Sequence, residues 1–288
     1  MHRNRLKTKS NFFKSIIRHL SLIWVIIFFL FFSSAQAYIK KGHQPFTAKS
    51  ALLVDCNNNK IIFSTNKHLR LECASTVKLL TALVALEKIG TDTAVRISSN
   101  SYNVEPTKAG LTKDAYYSSG DLITIAVVAS SNDACLALAE AVAGSESKFA
   151  ELMNEKAKQL GALNSNFVDP CGLPARDQYS NVYDLYLITR AALKNSFIKT
   201  ALAQKYVVIK GSDGRSIKLV NHNKLLFRWS WPVVLGKTGY TIKAGHCYAG
   251  IVYGKERQYA LVILGSRKPW KDISYIISRY AKLKILKS

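Results

Sequence analysis

Acidic side chains are scarce. Only 18 aspartates and glutamates stand against 41 lysines and arginines in 288 residues, a formal net charge of +23, and none of the acids falls in the first 37 residues. Such an excess suits an anionic neighbour, whether a membrane surface, a cell-wall polymer or nucleic acid. It serves solubility equally well, because the basic residues form no single run. The chain also has no internal repeat, low-complexity tract, phosphate-binding glycine loop or cluster of metal ligands. A solenoid, a P-loop nucleotide site and a locally built metal centre are thereby excluded, and no cofactor is expected. Cysteine supplies no framework either. The five (Cys56, Cys73, Cys135, Cys171, Cys247) are odd in number and widely spaced, so they cannot all pair within the chain and read as small buried hydrophobes.

What is present begins with a distinct N-terminal segment. Six basic residues (Arg3, Arg5, Lys7, Lys9, Lys14, Arg18) precede thirteen nearly all apolar ones at 20–32, and Ser33-Ser34-Ala35-Gln36-Ala37 has the small-x-small form of a signal-peptidase site. Residues 1–37 therefore read as an export signal cleaved after Ala37, with an uncleaved anchor as the alternative. The remaining 38–288 suffice for one large domain or two interleaved lobes.

Periodicity orders that remainder. Residues 51–55 and 60–64 flank Asn57-Asn58-Asn59 as a hairpin. Helical spacing follows at 75–89, stopped by Gly90, and at 121–128 (capped by Asp121), 133–142, 146–160 and 182–193 (capped by Ser180 or Asn181), while 91–120 reads as loops with short strands. From about residue 205 the period becomes two. Strands are expected at 206–210, 216–220, 233–240, 246–253 and 258–265, with a turn near Gly254-Lys255-Glu256, then a last amphipathic helix at 270–286. The fold class is α/β of the α+β kind: an antiparallel sheet drawn from both chain ends (38–74 and 201–288), flanked by terminal helices, with a helical lobe of about 75–200 inserted and a cleft between the lobes.

The helix from Ser75 is apolar on most sides, and Ser75 and Lys78 lie three apart on one of its faces, where hydroxyl and amine can meet. Burying a lysine is costly, which marks Lys78 as functional. Ser-x-x-Lys recurs at Ser64/Lys67, Ser145/Lys148 and Ser196/Lys199 and means little alone, whereas Lys237-Thr238-Gly239 is the chain's only Lys-Thr-Gly. The signal is the ordered set Ser75/Lys78, Ser130/Asn132 and Lys237/Thr238/Gly239, placed on a buried helix start, a break between helices and a strand. That set is associated with penicillin-binding proteins and serine β-lactamases. Read blandly, Ser130 and Asn132 are helix caps and Lys237 is a solvated strand end.

With those residues the chain resembles the serine-type D-alanyl-D-alanine carboxypeptidases, low-molecular-mass penicillin-binding proteins. The likeness runs from about Ala48 to the C-terminus and includes Ser131-Asn132-Asp133-Ala134, Met153-Asn154-x-Lys156-Ala157, the Asp169-Pro170-x-Gly172-Leu173 loop, and Lys237-Thr238-Gly239-Tyr240-Thr241 followed by Ala244-Gly245. Two departures are Cys73, where a proline is usual, and Cys171, where the loop usually has a polar residue or histidine. The second, all-β domain and amphipathic tail of many relatives are not expected, so membrane attachment would come from the N-terminus.

The resemblance implies a catalytic set of Ser75, Lys78 and Ser130. Ser75 attacks the penultimate D-alanine, Lys78, buried beside Lys237, takes its proton, and Ser130 relays a proton to the leaving D-alanine. Asn132, Lys237, Thr238 and Gly239 bind substrate, and the backbone N–H groups of Ser75 and Tyr240 form the oxyanion hole. It further implies peptidoglycan stem peptides as substrate, β-lactams as inhibitors, a periplasmic or outer-membrane-face location with membrane-surface contact, and no nucleic acid or metal. A β-lactamase, a DD-endopeptidase and a non-catalytic wall-binding protein are the alternatives on the same fold.

Overall fold

The computed structural model describes residues 46–227, 233–254 and 256–283. The expected export segment, Lys255 of the last turn and the end of the expected C-terminal helix lie outside them. Among the described residues no helix is long and apolar enough to cross a membrane.

Five antiparallel strands form the main sheet. β1 (Ser50–Asp55) and β2 (Lys60–Thr65) come from the start of the chain, and β7 (Val233–Thr241), β8 (Gly245–Tyr253) and β9 (Gln258–Ser266) from its end. Their order is β2-β1-β9-β8-β7, so the two halves meet where β1 pairs with β9, Leu53 opposite Leu261. β1 and almost all of β9 are buried, because this sheet is covered on both faces. Alternation sorts the side chains. Leu52, Val54, Ala260, Val262 and Leu264 enter the core shared with the helical lobe, while Ala51, Leu53, Leu261 and Ile263 enter a second core with Ile273, Ile276 and Ile277 of the last helix.

Helices occupy the middle of the chain. They are α1 (Lys78–Ile89), the short α2 (Ser99–Asn103), α3 (Ser119–Val128), α4 (Asn132–Ala143), α5 (Glu146–Gln159), α6 (Val182–Lys194) and α7 (Ser196–Ala203). β3 (Ala94–Arg96) pairs with β4 (Tyr116–Ser118), and β5 (Tyr206–Lys210) with β6 (Ser216–Val220), as separate two-stranded sheets. α8 (Pro269–Tyr280) closes the described chain.

Three sequence expectations shift. Ser118, not Asp121, caps α3, its hydroxyl accepting from the Asp121 N–H at 3.0 Å. The helix expected to reach 286 ends at Tyr280, and Lys282, at φ +54°, already lies in left-handed backbone. α7 went unforeseen because Asn195 both ends α6 and caps α7, so one apolar run holds two helices. Asn181 caps α6, as one of the two candidates.

Within the main sheet, Gly236 of β7 lies opposite Gly250 of β8, and the two glycines make room for the buried Tyr248 ring. A Cβ on either would meet the Tyr248 hydroxyl at 2.5 or 2.4 Å. That hydroxyl is buried and has no hydrogen-bond partner among the described residues. A buried unsatisfied hydroxyl costs stability, so Tyr248→Phe is expected to raise the unfolding free energy by about 1 kcal/mol. Urea unfolding of the two proteins checks it, and an unchanged or lower midpoint contradicts it.

Candidate active site

Ser75 sits on a tight 3-10 turn, Ala74–Val77, that leads into α1, one turn earlier in character than the regular helix expected there. Two glycines press on this turn. Gly172 is so close that a Cβ would meet the Ala74 carbonyl oxygen at 2.2 Å, and a Cβ on Gly239 would meet the Ser75 nitrogen at 2.8 Å. Ala74 itself is held at φ +44°, which presents the Ser75 hydroxyl to the cleft.

Lys78 is fully buried. Its Nζ donates to Ser75 Oγ at 3.0 Å, to Asn132 Oδ1 at 2.7 Å and to the Cys171 carbonyl. Each acceptor is held by another layer. Asn132 Nδ2 donates to the Glu105 and Pro106 carbonyls at 2.8 and 3.0 Å, and Asp133 accepts the N–H groups of Ala109, Gly110 and Leu111, so the 105–111 segment wraps the start of α4. The Asp169 carboxylate accepts the N–H groups of Cys171, Gly172 and Leu173, and Gln178 bridges the same loop from the other side. Thr81 of α1 ties the loop down by donating to the Pro170 carbonyl at 2.6 Å.

The capping reading of the second motif fails on geometry. Ser131 occupies the N-cap position of α4 without a side-chain bond, and Asn132 spends its amide on Lys78 and the 105–106 carbonyls instead. Ser130, at φ +61°, separates α3 from α4 and turns into the cleft.

β7 forms the opposite wall. Thr238, Gly239 and Tyr240 line a cleft of about 660 Å³ together with Ser75 and Ser130, and among the described residues no acidic side chain lines it. Lys237 lies behind that surface, 1% exposed, and donates to the Thr238 carbonyl at 2.8 Å. It is a buried amine rather than a solvated strand end. Burial first, and then the neighbouring Lys78, hold the Lys237 amine well below the ordinary lysine range. His222, at the cleft wall, is lowered by burial, by Lys237 and by Lys78. The site is built to receive negative charge.

The Lys237 amine makes a stability prediction. The unfolded chain takes up this proton below about 10.5 whereas the folded chain resists it, so the residue's contribution is lost as pH falls from that value through the lowered folded one. Lys237→Met is therefore expected to stabilise the protein at neutral pH by roughly 1–4 kcal/mol while abolishing substrate turnover. Its advantage should shrink toward pH 10.5, where both states are neutral. Paired urea titrations across that range test this, and a destabilised variant at neutral pH contradicts it.

All five cysteines are free, and burial raises Cys73 strongly and Cys247 to about 12. Cys171 is raised by its hydrogen bond with Cys135 and then by burial. Such thiols are inert at neutral pH.

The structure brings the site residues expected from sequence together: Ser75, Lys78 and Asn132 in one hydrogen-bond cluster, and Ser130, Thr238, Gly239 and Tyr240 around the cleft, backed by Lys237. Unforeseen were the Cys171 carbonyl as a lysine acceptor, the carbonyls of 105–106 behind Asn132, and His222, Lys224, Phe227, His246 and Trp270 on the cleft wall. Only the first had a sequence signal, in the Asp169-Pro170-Cys171-Gly172-Leu173 loop.

A five-stranded sheet carrying Lys-Thr-Gly on its edge strand thus faces a serine hydrogen-bonded to a buried lysine. Residues 37–268 match the family model described as D-alanyl-D-alanine carboxypeptidase, and the chain belongs to that family. It is 31% identical over 228 residues to the D-alanyl-D-alanine carboxypeptidase DacF of Bacillus subtilis, covering 77% of this chain and 58% of that one. It is 30% identical over 218 residues to a D-alanyl-D-alanine endopeptidase of Escherichia coli, covering 75% and 70%. The chain therefore spans less than two thirds of the Bacillus relative. Among solved structures, a D-alanyl-D-alanine carboxypeptidase from Mycobacterium tuberculosis H37Rv superposes with a TM-score of 0.77 at 24% identity, covering 86% of this chain and 97% of that one. A mutant of the Streptomyces K15 DD-transpeptidase gives 0.77 at 24% identity over 83% and 99%. At that identity the likeness establishes the fold.

Proposed function

We propose that this protein is an exported serine D-alanyl-D-alanine carboxypeptidase that removes the terminal D-alanine from peptidoglycan stem peptides and is inhibited by penicillin. The observation that carries the reading is the 3.0 Å approach of Lys78 Nζ to Ser75 Oγ, with the rest of that amine's sphere filled by two oxygens that only accept. A neutral amine has two N–H groups and one lone pair. To act as base, Lys78 gives up the N–H that points at Ser75 Oγ: its other two N–H groups serve Asn132 Oδ1 and the Cys171 carbonyl, and the freed lone pair takes the serine proton.

The substrate carboxylate binds at Thr238 and Lys237, and its negative charge draws a proton onto the Lys237 amine. Ser75 then attacks the carbonyl of the penultimate D-alanine, its proton passing to Lys78 as the new C–O bond forms. The oxyanion lies between the N–H groups of Ser75 and Tyr240, where Gly239 lets the strand come close. Collapse breaks the C–N bond, and the proton taken up by Lys78 passes by way of Ser130 to the nitrogen of the departing D-alanine, so that Lys78 can act as base again. Water next attacks the ester and gives its proton to Lys78, and collapse breaks the C–O bond to Ser75 while that proton returns to Ser75 Oγ.

Penicillin keeps its leaving group tethered, so the penicilloyl ester is expected to persist. A class A β-lactamase clears it with a glutamate-activated water, drawn from a Glu-x-x-Leu-Asn loop. The nearest counterpart, Glu151-Leu152-Met153-Asn154, lies within α5, where Met153 is buried and Asn154 bonds both backbone groups of Phe167. Leu152, Met153 and Asn154 pack the fold, while Glu151 is exposed.

Residues 38–288 act as the catalytic unit, delivered outside the cytoplasmic membrane by the segment before them. The endopeptidase relative favours a second substrate, a D-alanyl cross-link, which uses the same acyl-enzyme. Release of D-alanine from a short D-Ala-D-Ala peptide, measured beside cleavage of a cross-linked dimer, decides between them. Cleavage of the dimer alone overturns the carboxypeptidase reading, and cleavage of neither overturns both.

A further inference from the structure

Beyond the cleft the chain offers a second surface. The β5–β6 hairpin buries its inner face, with Val207 and Ile209 in the main core, yet its outer face is not the polar one usual for a half-covered sheet. The outward pairs are Tyr206 opposite Val220, Val208 opposite Lys218 and Lys210 opposite Ser216. Tyr206, Val208 and Val220 are 53%, 64% and 48% exposed.

This face is continuous with the cleft. Val220 and Phe227 line the cleft wall, and the Tyr206 ring meets Phe227 edge-on with centroids 5.6 Å apart. Lys218 reaches over the Tyr206 ring, and residues 199–224 hold six basic side chains with Asp213 as the one acid. The strip is also rigid. At its tip the Ser212 N–H donates to the Tyr116 carbonyl and Ser212 Oγ accepts from the Tyr116 N–H, while at its base Asn221 Nδ2 donates to the Leu202 and Gln204 carbonyls.

We infer that the outer face of the β5–β6 hairpin is a docking strip for the anionic glycan-linked polymer whose peptide terminus enters the cleft. The inference rests on the wall-polymer substrate proposed above. Exposed Tyr206, Val208 and Val220 take the apolar faces of sugar rings or stem side chains, and the lysines meet the free carboxylates along the polymer. The strip holds what the cleft is too short to reach, so it acts on polymer and not on short peptides.

The test compares the full-length protein with a Tyr206→Ser, Val208→Ser, Lys218→Glu variant, all three changes on exposed positions. Co-sedimentation with purified insoluble peptidoglycan should weaken about tenfold in the variant, while acylation by fluorescent penicillin and D-alanine release from a short peptide stay within about twofold. Undiminished co-sedimentation overturns the inference. So does an equal loss in all readouts, which would place the effect in the cleft. A parent dimer converted to monomer by the same changes, or a loss confined to binding of anionic lipid vesicles, assigns the face to another occupant and also overturns it. Binding is read without turnover, so an inactive parent would sink the proposed activity and leave this result readable.

Discussion

Lys78→Arg is expected to slow acylation by penicillin roughly 10²–10⁴-fold, almost as much as Lys78→Met. The arginine keeps a positive charge one turn from Ser75, so a purely electrostatic role for residue 78 would survive in it. A base role does not, because a guanidinium stays protonated and has no lone pair to offer. Its five donors also exceed what the pocket provides, which is one amide oxygen, one carbonyl and the serine hydroxyl. The methionine variant removes charge and base together while filling similar volume, so the pair isolates the lone pair as the lost function. Stopped-flow acylation measures both. An arginine variant retaining more than about a tenth of the parental rate contradicts the base assignment.

Gly172→Ala is the second large effect. The residue stands at φ +84°, and the added Cβ would lie 2.2, 2.4 and 2.9 Å from Ala74 O, Ala74 C and Ser75 N. All three are backbone atoms of the nucleophile turn, so no side-chain rotation relieves the clash. Either the 169–173 loop retreats, carrying the Cys171 carbonyl off Lys78, or the Ser75 turn moves. Both outcomes disorder the same hydrogen bonds. Acylation is expected to fall at least about a hundredfold, since displacements near 1 Å at reacting groups cost that much. Gly144→Ala is the control: it sits at φ +76° with nothing within 4 Å of its Cβ, so it bears only the left-handed backbone penalty of about 1–2 kcal/mol. Equal acylation rates in the two variants would show that the glycine serves backbone freedom alone.

Much of this was readable before the fold was seen, for definable reasons. The strands near the C-terminus stand within a residue or two of expectation, because alternation and turn glycines are local signals. Ser75 and Lys78 were legible because their contact is a three-residue helical spacing. The Cys171 carbonyl and the 105–106 carbonyls were not, since backbone acceptors carry no side-chain signature and reach the site only through tertiary folding. The same holds for His222 and Trp270, which β6 and α8 bring to the cleft from distant sequence. Asp121 misled as a cap because Ser118, three residues earlier, offers the oxygen first. Asn132, read from sequence as a partner of Lys78 with a helix cap as the bland alternative, bonds Lys78 and does not cap α4.

The central claim is that Ser75 is the nucleophile of an acyl-enzyme, and intact-mass analysis after incubation with penicillin tests it most directly. One adduct is expected on the parent, none on Ser75→Ala, with the adduct outlasting minutes while D-alanine is still released from a D-Ala-D-Ala peptide by protein not exposed to penicillin. An adduct that persists in Ser75→Ala, or rapid penicillin turnover without any release of D-alanine, contradicts it.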